Sequence, residues 1–196
     1  LNIGGPTYNV CHLTKHLDNS FETILVAGHE DSSEGSSLYI AESMGLSPRL
    51  IPSMRRSINL IRDRKAYLEV RKIIREYNPH IVHTHAAKAG AIGRYAAFKE
   101  KVPVILHTYH GHVFHSYFNI IKTGAFLAIE RFLARRSSAL IAISPLQKKE
   151  LSEEYKIANS SKFRTVPLGF ELDRFFENMD NKRIAFRKYW NLSDNK

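Results

Sequence analysis

Short runs of β-branched and other apolar residues alternate along the chain with longer stretches in which apolar positions recur every three or four residues. Residues 21–27, 81–84, 102–108, 140–144 and 163–166 read as strands, with 49–51 as a shorter one. Val10, Leu13 and Leu17 fall at helical spacing. Ile58, Ile61, Tyr67, Leu68, Val70, Ile73, Ile74 and Tyr77 mark a longer helix that must stop before Pro79. Further helices are expected over residues 87–99, 120–135 and 146–155. This alternation predicts an α/β domain with a parallel sheet covered by helices on both faces.

The ends of the chain look different. Leu1-Asn2-Ile3 runs into Gly4-Gly5-Pro6 as the tail of a first strand would. Near the other end, Val166-Pro167-Leu168-Gly169-Phe170 closes a strand, residues 177–182 read as a polar linker, and 183–190 form one amphipathic helix. The expected organisation is one lobe over residues 1–175 with a truncated first strand, then a linker and the start of a second lobe over 176–196.

Composition narrows the class. Hydrophobic residues make up 43% and charged residues 24% of the 196, the balance of a folded globular domain. No apolar run approaches the roughly 20 residues a membrane span needs. Cys11, the single cysteine, lies in an apolar helical pattern and reads as packing. Twenty-nine Lys and Arg against nineteen Asp and Glu leave a net charge of +10, which calls for an acidic partner. Much of that excess falls in one segment: Arg55, Arg56, Arg62, Arg64, Lys65, Arg71, Lys72 and Arg75. Phosphates, anionic lipid headgroups and nucleic acid all fit such a field, and so does a merely solvated helix face.

Ligands of open parallel sheets collect outside the carboxyl ends of the strands. Here those ends hold the unusual chemistry of the chain. Gly4-Gly5 ahead of Pro6 and a helix would let backbone approach an anion, or simply make a tight turn. The strand over 81–84 ends in His83-Thr84-His85, followed by Lys88 and Gly90, where a bound anion would account for a cation at a helix start. The strand over 102–108 runs into His107-Thr-Tyr-His110-Gly111-His112-Val-Phe-His115. Neutral imidazole can donate, accept, ligate or move a proton near pH 7, and His110 beside Gly111 is the candidate working histidine. Three histidines of that loop, His110, His112 and His115, have nitrogens enough for zinc. With no Cys, Asp or Glu in the loop and no HExxH helix, no metal is expected. Ser144-Pro145 lacks the glycines of a nucleophile elbow.

Taken in order, Gly4-Gly5, Val82-His83-Thr84-His85 with Lys88-Ala-Gly90, His107-Thr-Tyr-His110-Gly111, Ile143-Ser144 and Val166-Pro167-Leu168-Gly169-Phe170-Glu171-Leu172-Asp173-Arg174-Phe175 resemble the N-terminal half of family 4 glycosyltransferases. The last motif usually carries Asn where this chain has Leu168. The resemblance implies a Rossmann-like lobe, one of the two that make a GT-B enzyme. It also implies retaining sugar transfer from a nucleotide-sugar donor, used as a substrate, with no cofactor and no metal. By the same resemblance His110 would reach the donor sugar near the reacting carbon. Gly4 and Gly5 would approach the donor diphosphate and the acceptor. Lys88, with His83, His85, Gly111 and His112, would line the substrate site. Acceptors in this family are often lipid-linked glycans of surface-polysaccharide assembly, so the basic segment implies peripheral attachment to an anionic membrane on its cytoplasmic side. A nucleotide-sugar epimerase of the same architecture and a basic nucleic-acid-binding α/β module, the latter suggested by Tyr67 and Tyr77 among the arginines, are the competing readings.

Overall fold

A computed structural model describes residues 4–30, 35–111 and 120–193. The elements run α1 (Gly5–His16), β1 (Val26–Gly28), α2 (Leu38–Ser43), β2 (Arg49–Ile51), α3 (Leu60–Tyr77), β3 (Ile81–His85), α4 (Ala87–Lys99), β4 (Val104–Tyr109), α5 (Ile120–Arg136), β5 (Ala139–Ala142), α6 (Pro145–Lys149), β6 (Phe163–Thr165), α7 (Asp173–Phe176) and α8 (Met179–Tyr189). All strand pairs are parallel: β1 with β2 in one sheet, and β3-β4-β5-β6 in consecutive order in another. Each parallel step needs a crossover, which the intervening helices provide as they cover both faces. The fold is thus the expected α/β arrangement.

Local chemistry sets the boundaries. Asn59 caps α3 by accepting from the Arg62 N–H at 3.0 Å. At its far end Asn78 turns left-handed at φ 49°, one residue before Pro79 blocks continuation. Core residues of α3 and α4 (Ala66, Val70, Ile73, Ile74, Ala96, Ala97) close over Ile51 and Ile105. A second cluster joins Tyr109, Leu140, Ala142, Leu151 and Phe163, and a third gathers Cys11, Ile40 and Ala41. Cys11 is fully buried there, and burial pushes its thiol pKa up, as suits a packing role.

Three boundaries differ from the sequence reading. The strand expected over 21–27 is reduced to β1, with Phe21 and Ile24 exposed, because its partner β2 offers only three residues to pair with. The helix expected over 146–155 tightens into α6 and then widens into a π-helical turn at Glu150–Glu154. The segment read as a linker over 177–182 already holds the first turn of α8, none of whose residues is buried.

Candidate active site

Parallel register aligns His83 with Leu106, Thr84 with His107 and His85 with Thr108. Because side chains alternate along a strand, His83, His85 and Thr108 share one face of the sheet, and Thr84, His107 and Tyr109 share the other. His110 follows β4 directly and joins the first group. His83 Nε2 lies 2.8 Å from Thr108 Oγ1, and His85 Nδ1 lies 2.9 Å from His110 Nε2. The rings follow one another in tilted contact, with centroids 4.3 Å apart for His83 and His85 and 5.2 Å for His85 and His110. The other nitrogen of His110, Nδ1, is buried with no hydrogen-bond partner among the described residues. A buried ring nitrogen left unpaired is costly unless a ligand oxygen completes it.

Burial, reinforced by the neighbouring imidazoles, holds His83 down to about 4 and His85 to about 3. Burial also lowers His110. These rings are therefore neutral at pH 7 and act by hydrogen bonding rather than by charge. No group of three His, Cys, Asp or Glu among the described residues is arranged for a metal ion. The His85 and His110 nitrogens face each other at hydrogen-bond distance, which leaves no room for an ion between them.

On the opposite face sits a network that sequence reasoning missed. Thr84 Oγ1 donates to the Leu106 carbonyl at 3.1 Å, so at 2.9 Å it accepts from His107 Nδ1. The His107 ring stands edge-on to Tyr109 at 4.6 Å. Tyr109 donates to Glu130 Oε2 at 2.7 Å, and Arg94 Nη2 reaches both Glu130 oxygens at 2.8 and 2.9 Å. Arg94 is only 1% exposed. Helix α4 approaches this closely because it carries glycine where it meets the strands: a Cβ on Gly90 would stand 2.4 Å from His107 Cε1, and one on Gly93 2.8 Å from Thr84 Cγ2. Gly90 therefore belongs to helix packing rather than to a ligand turn. A lone arginine inside Ala-Gly-Ala-Ile-Gly-Arg-Tyr-Ala-Ala and a lone glutamate in the apolar stretch of α5 were the available signals.

The remaining candidates are dispersed around this centre. Gly4 caps α1 and Gly5 begins it, and a side chain on Gly5 would meet nothing within 4 Å. No hydrogen bond ties either glycine to the histidines among the described residues. Gly111 is exposed with open space beside it, and His112 and His115 lie outside the described residues. Lys88 pairs with Asp63 and donates to the Ser57 carbonyl at 2.6 Å, so a carboxylate of α3 offsets its charge. Between His85 and α4, Ala86 sits at φ 61°, ψ 159°, a region normally left to glycine, and gives α4 no side-chain cap. Ser144, by contrast, caps α6 by accepting from the Gln147 N–H, which is a structural role.

The basic segment is partly consumed. Arg71 and Arg75 both bind Glu100, which their hydrogen bonds hold down to about 2, and Lys72 pairs with Glu76. Tyr67 stacks on Tyr95 at 5.4 Å. Tyr67 is thus packed against a neighbouring ring, and three of the cations in the segment are offset by carboxylates.

The chain matches the Glycosyltransferase Family 4 profile over residues 3–174. It belongs to that family. The chain is 31% identical over 125 residues to the UDP-Gal:alpha-D-GlcNAc-diphosphoundecaprenol alpha-1,3-galactosyltransferase of Escherichia coli, a match covering 64% of this chain and 32% of that protein. The family 4 chain thus spans about a third of the length of that relative. Its fold is similar to a glycosyltransferase from Rickettsia africae ESF-5, with a TM-score of 0.58 at 20% identity, covering 88% of this chain and 50% of that one. It is also similar to the UDP-GlcNAc 2-epimerase from Neisseria meningitidis bound to UDP-GlcNAc, with a TM-score of 0.52 at 16% identity over 77% and 40% of the two chains. Among the described residues of this family 4 chain, no helix is long and apolar enough to cross a membrane.

Proposed function

We propose that this chain is the acceptor-side lobe of a retaining glycosyltransferase that moves a sugar from a nucleotide-sugar donor to a lipid-linked glycan during polysaccharide assembly. The observation that carries the reading is the His85–His110 pair, which leaves one buried imidazole nitrogen unpaired at the carboxyl edge of the sheet. Family membership supports sugar transfer as the reaction, and the E. coli relative, whose name specifies a diphosphoundecaprenol acceptor, supports a lipid-linked substrate.

In this reading His110 is neutral and supplies a directional hydrogen bond through Nδ1 to the donor sugar beside the reacting carbon. His85 and His83 stand on the same face of the sheet beside it, while Gly4, Gly5 and Gly111 leave room for backbone contact with diphosphate and acceptor. The carboxylate within this network, Glu130, is on the reverse face and held by Arg94 and Tyr109, so it does not serve as a base. Retention then follows from departure of the nucleoside diphosphate on the face from which the acceptor attacks. The leaving phosphate oxygen takes the acceptor proton as the new glycosidic bond forms. Residues 176–196 begin the connection to a donor-binding lobe, and the assembled enzyme works as a peripheral protein on the inner face of the plasma membrane without a resident cofactor.

The test is to incubate the full-length enzyme and its His110→Ala variant with nucleotide sugars, UDP-galactose first, and a polyprenyl-diphosphate-linked sugar. Nucleoside diphosphate and glycosylated lipid should appear together and fall at least about a hundredfold in the variant, the scale of losing one transition-state hydrogen bond. Epimerised nucleotide sugar without glycosylated lipid would replace this reading with that of an epimerase.

A further inference from the structure

The segment between β2 and α3 carries apolar side chains that nothing covers. Ile58 is 71% exposed, and Leu60 and Ile61 are each 84% exposed, at the start of α3. The turn that presents them is held by the helix cap. Asn59 accepts from the Arg62 N–H at 3.0 Å, and the Asn59 N–H in turn donates to Asp63 Oδ2 at 3.1 Å. An apolar residue ahead of a helix cap ordinarily folds back against one four positions into the helix, but that position here is Asp63, so Ile58 has nothing to staple to. The apolar triplet is therefore presented outward on a fixed turn.

Cations surround it. Arg55 precedes the triplet, and Arg64 and Lys65 follow it as exposed side chains with no carboxylate partner among the described residues. These differ from Arg71, Lys72 and Arg75 further along α3, which Glu100 and Glu76 occupy. Position completes the case. Lys88, in the first turn of α4 just beyond His85, pairs with Asp63 and donates to the Ser57 carbonyl at 2.6 Å. The apolar turn is thus fastened to the rim of the histidine site.

We infer that residues 55–65 form a membrane-docking tip, in which Ile58, Leu60 and Ile61 enter the interface of an anionic bilayer while Arg55, Arg64 and Lys65 contact its headgroups. Apolar side chains rimmed by cations match the charge and polarity profile of an anionic lipid surface. The docking residues are the apolar turn and its immediate rim, not the whole basic segment of α3. With the tip in the interface, the mouth of the histidine site faces the membrane, where the diphosphate of a lipid-linked acceptor would emerge. This orientation rests on the proposed lipid-linked acceptor, whereas the docking itself does not.

The experiment is co-sedimentation of the full-length enzyme with vesicles of phosphatidylethanolamine and phosphatidylglycerol. Leu60→Ser/Ile61→Ser and Arg64→Gln/Lys65→Gln variants are compared, with circular dichroism to confirm folding. Partitioning should fall about tenfold per apolar substitution and about fivefold per neutralised cation. The second effect alone should vanish at high salt and on pure phosphatidylcholine. Sugar transfer to a water-soluble, short-chain acceptor should be unchanged in both variants, while transfer to vesicle-embedded acceptor falls with partitioning. Unchanged vesicle binding by Leu60→Ser/Ile61→Ser overturns the proposal. So does wild-type protein that ignores vesicles but self-associates through this turn, which would make it a protein–protein surface. Vesicle binding that depends on the tip in an enzyme unable to use any lipid-linked acceptor would uphold the docking surface and remove the acceptor reading instead.

Discussion

Gly90→Ala offers a direct test of how α4 sets the site. In an open helix, alanine in place of glycine stabilises by about 1 kcal/mol, because the unfolded chain loses backbone freedom. At Gly90 the new Cβ would meet His107 Cε1 at 2.4 Å and Nδ1 at 2.9 Å. His107 cannot readily yield: it is 2% exposed, hydrogen-bonded to Thr84 and held edge-on against Tyr109. Overpacking of this kind costs about 1–3 kcal/mol, and a broken buried hydrogen bond adds about 1–3 kcal/mol. Set against the propensity gain, Gly90→Ala should destabilise the lobe by about 1–5 kcal/mol. Gly124→Ala in α5, where a Cβ meets nothing within 4 Å, should instead stabilise by about 0.5–1 kcal/mol. Urea denaturation read by hydrogen exchange in α4 and β4 peptides isolates this lobe. Adding His107→Ala opens the space, so Gly90→Ala should cost far less in that background. Equal or greater stability of Gly90→Ala, or additivity with His107→Ala within about 0.5 kcal/mol, would refute the close-approach argument.

Three further expectations follow from the same geometry. Arg94→Leu strands Glu130 without its buried guanidinium and should cost about 3–5 kcal/mol, whereas Arg94→Leu/Glu130→Leu should recover most of that, as urea midpoints will show. Ala86→Gly relieves a positive-φ residue and should raise stability by about 1 kcal/mol. By loosening the joint between His85 and α4 it should also lower kcat more than it raises KM, which steady-state kinetics can separate. The depressed histidines predict acid lability: protons favour the unfolded state, where the ordinary value is 6.5, over the folded state at about 4 for His83 and about 3 for His85. Stability is then full above pH 6.5 and declines as pH falls toward 4 and below, by about 3 kcal/mol for His83 alone. A melting temperature that stays level from pH 6.5 to 4 in wild type, or a decline equally steep in His83→Gln, contradicts this account.

The division of labour between sequence and tertiary structure is visible residue by residue. Periodicity alone determined the α/β class, the position of β3 and the span of α3, because β-branched runs and helical apolar spacing are local signals that the core then accepts. The stop at Asn78 was likewise legible, since Pro79 forbids helix whatever surrounds it. The carboxyl-edge location of the histidines was also legible, because in a parallel sheet chain direction identifies which end of every strand faces the ligand. Strand alternation, applied to β4, already separates His107 from His110. Contacts between elements distant in sequence were not legible. That His85 meets His110, that Asp63 claims Lys88, and that Arg94 and Glu130 pair beneath Tyr109 depend on register and on how closely a glycine-bearing helix can lie. Such long-range complementarity has no local signature, and the same absence hid the exposed Ile58, Leu60 and Ile61. In the sequence they are ordinary members of an apolar helical pattern, and only the packed structure shows that this end of the helix has nothing to bury them against.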